Sequence, residues 1–382
     1  MRIGVFTDTW EPAIDGVVTS VRVFRRELEA LGHEVHIFAP HYAKAAPDGP
    51  RVYRFRNLPY PPYPEYKLVV PWGVNFSLRN MRALNLDIVH SHSPFGVGSM
   101  GLYLAWRQHL PAVLTYHTYN EHYLHYAPGP AAFWRWANEA VTRTLTNRYD
   151  KVLAPSTPIR DALLRYGTRT PIEVLPSGVD VARLRPSGRD LKHEWGLGVH
   201  QPLLLSVCRL GEEKNLATVV RAFAIYAKRG GEGTLVLLGD GPRRAAYEAL
   251  ARDAGLADRV LFKGMVSHDT VVDALGQADA FLFASLSETQ GLALLEAMAL
   301  GVPCVIVPAM GTAEVMEGER GGLFCENDPE SMATTLTRLM HDAELRKAKG
   351  EQGKARAAEY AAPLMARRMT ESFQRLIEER RP

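Results

Sequence analysis

The sequence predicts an α/β protein of two doubly wound, Rossmann-like domains of similar size, facing each other across a cleft. Three observations carry that prediction. At 382 residues the chain is too long for one ordinary domain and long enough for two, each with its own core. Short apolar runs alternate along it with segments of 3.6-residue periodicity, the pattern of a parallel sheet covered by helices. Finally, a basic stretch containing Pro, Gly and Ser, "RLRPSGRD" at 183–190, interrupts the rhythm, which then restarts. The expected division is 1–185, 186–362 and a C-terminal helix over 363–382 that can cross back to the first domain.

Taken in order, "RIGVFTD" (2–8), "EVHIFAP" (34–40), "RVYRF" (51–55), "DIVHSH" (87–92), "AVLTYH" (112–117), "KVLAPS" (151–156) and "IEVLPSG" (172–178) read as strands. Val18, Val21, Phe24, Arg25 and Leu28 mark a helix between the first two, and Gly32 supplies its stop. After the break come "PLLLSVCRL" (202–210), "TLVLLGDGP" (234–242), "RVLFKG" (259–264), "AFLFAS" (280–285), "PCVIVP" (303–308) and "GGLFCEN" (321–327). Helical patterns intervene, including 215–228 and 243–254. Each strand run is apolar on both faces, so helices should cover both sides of each sheet. Ligands of such sheets bind beyond the carboxyl ends of the strands, which makes the cleft the expected active site.

Composition is that of a globular protein, 46% hydrophobic and 23% charged. Cys208, Cys304 and Cys325 are odd in number and scattered, which argues against a disulfide framework or a zinc site and for a reducing, cytoplasmic setting. The N-terminus runs straight into a strand, and Asp8 arrives too early for a signal-peptide core. No stretch approaches the roughly 18 consecutive apolar residues of a transmembrane helix. The expectation is a protein that can lie on a membrane without spanning it. Net charge is +3, unevenly spread: residues 1–185 hold about 21 Lys and Arg against about 15 Asp and Glu, whereas the remainder nets roughly −3. That excess fits an anionic partner and ordinary solvated surface equally well.

Three motifs carry chemistry. In "SVCRLGEEKN" (206–215), Arg209 and Lys214 follow a buried strand within six residues. A guanidinium binding two oxygens and an ammonium acting as a point charge suit a diphosphate there; two solvated loop charges would look the same. "LLGDGPRR" (237–244) is a strand followed by a tight turn, which brings backbone close to a ligand or simply turns the chain. In "SETQGLALLEAMALG" (287–301), a helix is expected to begin at Gly291–Leu292, with Leu292, Leu295, Ala299 and Leu300 facing inward. Its unpaired N–H groups can receive phosphate or sugar oxygens. Glu288 lies before that helix and Glu296 about one turn inside it, both able to accept bonds from hydroxyls. A carboxylate near a first turn also complements the helix dipole, which accounts less well for Glu296 among apolar neighbours.

With those residues in view, the chain resembles the retaining glycosyltransferases of the GT-B fold, specifically family 4 (group 1). The resemblance covers essentially the whole length. It rests on "PAIDGVVTSV" (12–21), "DIVHSHSP" (87–94), "VLTYHTYNEHY" (113–123), "LPSGVD" (175–180), "SVCRLGEEKN" and the Glu-x7-Glu segment. It implies that Arg209 and Lys214 hold the donor diphosphate. Glu288 would contact the donor sugar beside the backbone of Gln290, Gly291 and Leu292, and Glu296 would bind the ribose. Gly16 would lie beneath the phosphates and sugar, and His117 near the anomeric centre. The base would sit by Lys263, Gly264, Met265 and Val266. The resemblance further implies retention of the α configuration without a protein nucleophile. Because no Asp-x-Asp occurs, no bridging metal and no cofactor beyond the nucleotide-sugar are expected.

The acceptor is read from the first half. "RVYRFRNLPYPPYPEYKLVVPWG" (51–73) is basic, then rich in Pro and Tyr, then apolar with Trp72. "FWRWANEAVTRTLTNRYDK" (133–151) interleaves Phe133, Trp134, Trp136, Val141 and Leu145 with Arg135, Arg143, Arg148 and Lys151. Such interleaving suits an anionic membrane interface, although ordinary helix packing gives the same periodicity. Asp15 in "FTDTWEPAIDGVVTSV", Glu121 in "YHTYNEHY" and Gln290 in "SETQG" look most like bacterial enzymes that glycosylate diacylglycerol. Asp15, His117 and Glu121 are therefore the acceptor-side candidates. The expected reaction moves glucose from UDP-glucose to diacylglycerol at the inner face of the cell membrane, with no nucleic-acid partner. The alternatives are a GDP-mannose-dependent mannosyltransferase or another family 4 transferase acting on a soluble or polyprenyl acceptor, and more remotely a nucleotide-sugar 2-epimerase.

Overall fold

Residues 1–42, 48–59, 67–69, 78–117 and 130–380 are described by the computed structural model. In chain order the first part runs β1 (Arg2–Phe6), α1 (Gly16–Ala30), β2 (Glu34–Pro40), β3 (Val52–Phe55), β4 (Asn57–Pro59), β5 (Lys67–Val69) and α2 (Leu78–Ala83). There follow β6 (Ile88–Ser91), α3 (Gly96–Gln108), β7 (Ala112–Thr115), α4 (Ala131–Thr146), β8 (Lys151–Ala154), α5 (Thr157–Arg165) and β9 (Ile172–Val174). The second part runs α6 (Leu191–Glu194), β10 (Leu203–Val207), α7 (Leu216–Lys228), β11 (Thr234–Leu238), α8 (Arg244–Asp253), β12 (Val260–Gly264) and α9 (His268–Leu275). It continues with β13 (Ala280–Phe283), α10 (Leu292–Ala299), β14 (Cys304–Ile306), α11 (Met310–Val315), β15 (Gly322–Phe324), α12 (Pro329–His341) and α13 (Ala343–Ala358), and α14 (Ala362–Glu379) ends the chain.

Two parallel sheets result, ordered β3-β2-β1-β6-β7-β8-β9 and β12-β11-β10-β13-β14-β15, and β4 and β5 form a separate antiparallel pair. In the first sheet, alternate residues Ile3, Val5, Ile37, Ile88, Val113 and Leu153 pack under Val18, Val21, Phe24 and Leu28 of α1 and Met365, Met369 and Phe373 of α14. The other face carries the stacked rings of Phe6 and Phe38, 4.4 Å apart. There α3 comes so close that a Cβ on Gly101 would stand 2.5 Å from the Phe6 ring. The second sheet is buried on both faces: Leu204, Leu235, Leu237 and Leu282 lie against Phe223 and Leu336, and Leu203, Leu205, Phe281 and Phe283 against Leu294 and Leu295. In each sheet the strand order reverses once, between β1 and β6 and between β10 and β13. Those reversals are where ligands of doubly wound sheets bind.

Two compact units are found: Met1–Gly178 with the segment from Ala362, and Val179–Ala361. By contacts, the compact units divide at Gly178–Val179, seven residues before the position expected from composition. The polar stretch that reads as a linker is fastened to the second unit. The Ser187 backbone N–H and hydroxyl donate to the buried Asp273 carboxylate at 2.5 and 2.8 Å. Val179 and Leu184 sit in that unit's core, and Val179 N–H donates to the Tyr360 carbonyl at 2.8 Å.

The buried face of α10 also differs from the expected one. Leu294, Leu295, Ala297 and Met298 are buried, whereas Leu292, Ala299 and Leu300 are half-buried. The helix packs against α13 as well as the sheet. Gly353 of α13 approaches closely enough that a Cβ there would meet the Met298 backbone at 3.4 Å.

Candidate active site

The second unit places its charged loops at its reversal point. Strands β10 and β13 pair in register, Leu205 opposite Phe281, so the loops leaving their carboxyl ends adjoin. The β10 loop passes Cys208 and the exposed Arg209, then forms a 3-10 turn over Glu212–Lys214 that ends on Asn215 in the left-handed region (φ 52°). Asn215 Nδ2 donates to the Ala284 carbonyl of the β13 loop at 3.3 Å, tying the two loops together. Lys214 Nζ then donates to Glu288 Oε1 at 2.7 Å, and the Ser285 hydroxyl donates to the same oxygen at 3.3 Å. An ammonium has three N–H bonds, so Lys214 can keep Glu288 and still reach phosphate oxygens.

The backbone around this pair is tightly braced. Gly291 caps α10 in a left-handed conformation (φ 95°), and a Cβ there would approach the Thr312 methyl to 3.0 Å. Gly311 N–H donates to the Glu288 carbonyl at 3.1 Å. Gln290 is buried, and Leu292 opens the helix. The glycines of "LLGDGPRR" have a structural reason: a Cβ on Gly239 would overlap the Cys208 carbonyl, and one on Gly241 would lie 2.7 Å from the Leu210 carbonyl. That turn supports the strand end from which Arg209 projects.

Glu296 and the loop after β12 come together through a residue that sequence reasoning missed. His268, the first residue of α9, has its Nε2 2.9 Å from Glu296 Oε1. It follows the exposed Met265 and the half-buried Val266. A histidine just beyond the loop read for the base was the available signal, but its partner 28 residues on was not visible. If Glu296 accepts the ribose hydroxyls, Glu296→Gln exchanges one acceptor for a donor and weakens donor binding roughly 5- to 20-fold. Calorimetric titration with the nucleotide checks this, and an unchanged affinity refutes the ribose assignment.

In the first unit, Asp15 is the N-cap of α1. Its Oδ1 accepts from Val18 N–H at 2.7 Å and its Oδ2 from the Thr9 hydroxyl at 2.7 Å. Both oxygens of this acceptor-side candidate therefore do local structural work. Gly16 is exposed, and a Cβ on it would meet nothing within 4 Å, so packing places no demand for glycine there. Asp8, also missed, serves α3: it accepts from Val97 N–H at 2.6 Å and from the Ser93 hydroxyl at 2.5 Å. Burial pushes its carboxyl up from the ordinary value against the opposing pull of those two bonds.

His117 stands just past β7 with two further histidines behind it. Its Nε2 lies 2.7 Å from His92 Nδ1, with the rings 5.0 Å apart and nearly parallel. The His92 ring lies 4.1 Å from that of His90, whose Nε2 is 2.7 Å from the Thr115 hydroxyl. Burial pushes His117 down to about 4 and His90 to about 3, and His92 falls well below its ordinary value for the same reason. All three are neutral near pH 7, so His117 offers an N–H or a lone pair and no positive charge. His90 and His92 were missed although their spacing of two in "DIVHSH" places both on one face of a strand. Glu121 lies outside the described residues. Among the described residues no group of three or more His, Cys, Asp or Glu is set to hold a metal ion, and no helix is long and apolar enough to cross a membrane.

In comparison with known proteins, two family models match successive parts of the chain. The Glycosyltransferase Family 4 model matches residues 14–183, and the Glycosyl transferases group 1 model matches residues 189–356. An alpha-monoglucosyldiacylglycerol synthase of Streptococcus pneumoniae is 32% identical over 312 residues, covering 80% of this chain and 70% of its own. A GDP-mannose-dependent alpha-mannosyltransferase of Mycolicibacterium smegmatis is 30% identical over 340 residues, covering 86% and 85%. The structure of sucrose-phosphate synthase from Thermosynechococcus elongatus superimposes with a TM-score of 0.77 at 20% identity, over 99% of this chain and 100% of that one. Two parallel-sheet α/β units of this kind are the GT-B architecture. The chain belongs to glycosyltransferase family 4, with a group 1 second half, and is a glycosyltransferase.

Proposed function

We propose that this glycosyltransferase moves glucose from UDP-glucose to diacylglycerol, with retention of the α configuration, on an anionic membrane surface at the cytoplasmic side. The observation that carries the reading is the match, over most of both chains, to an enzyme named for α-monoglucosyldiacylglycerol synthesis. The acceptor hydroxyl attacks the anomeric carbon on the face the nucleotide leaves. One C–O bond forms as the bond to the β-phosphate breaks, and the hydroxyl proton passes to the departing phosphate. Charge grows on that phosphate, and Arg209, Lys214 and the start of α10 stabilise it as a prearranged electrostatic site. In this reading no metal and no protein nucleophile takes part.

The surface of α4 supports a lipid acceptor. Phe133 and Trp136 are 53% and 65% exposed, and Arg135 and Arg143 on the same helix are exposed as well. Aromatic rings with interleaved guanidinium groups favour an interface bearing anionic lipid. Of the other stretch read this way, 60–66 and 70–73 lie outside the described residues. The mannosyltransferase match supports a second reading with GDP-mannose as donor.

A donor screen by nucleotide release, with and without diacylglycerol in mixed micelles, tests the proposal. UDP-glucose turnover should rise on adding diacylglycerol, and rise further with phosphatidylglycerol present. Preference for GDP-mannose would replace the donor assignment, and an epimerised sugar formed without acceptor would replace the reaction.

A further inference from the structure

We propose that His92 is a positioning residue for glycosyl transfer: its bond to His117 fixes the ring orientation and the kind of nitrogen that His117 presents to the donor sugar. The proposal rests on the reading that places His117 at the sugar. The argument begins with valence. Two neutral imidazoles 2.7 Å apart, Nδ1 of His92 to Nε2 of His117, form a hydrogen bond only if one nitrogen carries the proton and the other is bare. If His92 Nδ1 carries it, His117 Nε2 is bare and His117 Nδ1 holds an N–H to donate. If His117 Nε2 carries it, His117 Nδ1 is a lone pair that accepts from a hydroxyl. His92 thus decides the character of a nitrogen it does not touch.

His92 is itself held from the interior. It is 4% exposed and lies on the ring of His90, which is 1% exposed. His90 is pinned by the Thr115 hydroxyl at one nitrogen and by the edge of the buried Phe373 ring, centroids 5.2 Å apart. Phe373 belongs to α14, so the C-terminal helix backs the far end of the row. His117, by contrast, is half-buried. The row therefore runs from the buried His90 and His92 outward to the half-buried His117. Apolar side chains would fill the same volume with less desolvation cost. A fixed orientation of His117 is what these polar rings provide in exchange.

Three variants test the idea. His92→Phe keeps an aromatic ring but removes both nitrogens. His92→Asn keeps a polar group close to the Nδ1 position, able to donate or accept. His90→Leu interrupts the row one step back. For wild type, 15N spectra of the ligand-free chain should show His117 in a single tautomer, and His92→Phe should show a mixture. Turnover of UDP-glucose should fall roughly ten- to a hundredfold in His92→Phe, with donor KM within about twofold. His92→Asn should recover most of the loss, and His90→Leu should fall between them. An unchanged kcat in His92→Phe, or a loss that His92→Asn does not relieve, overturns the proposal. The spectra need no substrate: one unchanged His117 tautomer in His92→Phe overturns the positioning role whichever donor is used. A tautomer change combined with no UDP-glucose turnover in wild type counts against the donor assignment alone.

Discussion

Lys214→Ala should lower kcat/KM for the donor by roughly 10²–10³, with the loss mainly in kcat. Lys214 is one of two cations the second unit sets at the end of β10, and its ammonium is already aimed by Glu288 at 2.7 Å. A charge placed before the reaction needs no reorganisation as the leaving phosphate gains its own, so its removal is felt most in the transition state. The substitution also leaves Glu288 without its cation. Its carboxylate keeps the 3.3 Å bond from the Ser285 hydroxyl at Oε1 and repels the phosphate it formerly helped to hold. Lys214→Arg retains the charge but replaces a compact ammonium by a planar fork, and should recover only part of the rate. Steady-state nucleotide release measures both variants against wild type. A Lys214→Ala enzyme within threefold of wild type would show that the phosphate is held elsewhere.

Gly239→Ala should be the most damaging small substitution in the second unit. The residue sits at φ 127°, and an added Cβ would overlap the Cys208 carbonyl. Backbone strain and the forced shift together cost about 3 kcal/mol. For a unit of this size that lowers Tm by roughly 6–12 °C. The displaced carbonyl belongs to the residue before Arg209, so donor affinity should fall with it. Gly188→Ala separates the two causes, because Gly188 has φ 88° but a Cβ there meets nothing within 4 Å. That control should lose only about 1 kcal/mol. Equal Tm values for the two variants would show that the Cys208 contact carries no weight.

What the sequence revealed and what it concealed follow from the range of the interactions. The strand runs were legible because buried parallel strands are apolar on both faces, and β10 to β15 all fall within the runs read for them. The start of α10 was legible because Gly291 is the residue type a left-handed cap requires. Lys214 and Glu288 could each be picked out, since both follow strand ends, but their contact depends on β10 pairing with β13. That the contacts of the second unit reach back to Val179 was not legible, because composition cannot show that Ser187 is bound to Asp273, 86 residues on. The buried face of α10 was misread because α13 covers it, and its local periodicity reflects two neighbours at once. His90, His92 and His117 form a row only when β6 lies beside β7, with His90 opposite Val113. Asp15 was read for the acceptor, while its two oxygens cap α1 and hold Thr9.

The most direct test of the central claim is the product made from UDP-glucose and diacylglycerol in mixed micelles containing phosphatidylglycerol. The proposed reaction yields one mole of UDP per mole of glucosyl-diacylglycerol, with the anomeric proton signal of an α-glucoside. UDP release without a glycolipid, or a β-linked product, would contradict it.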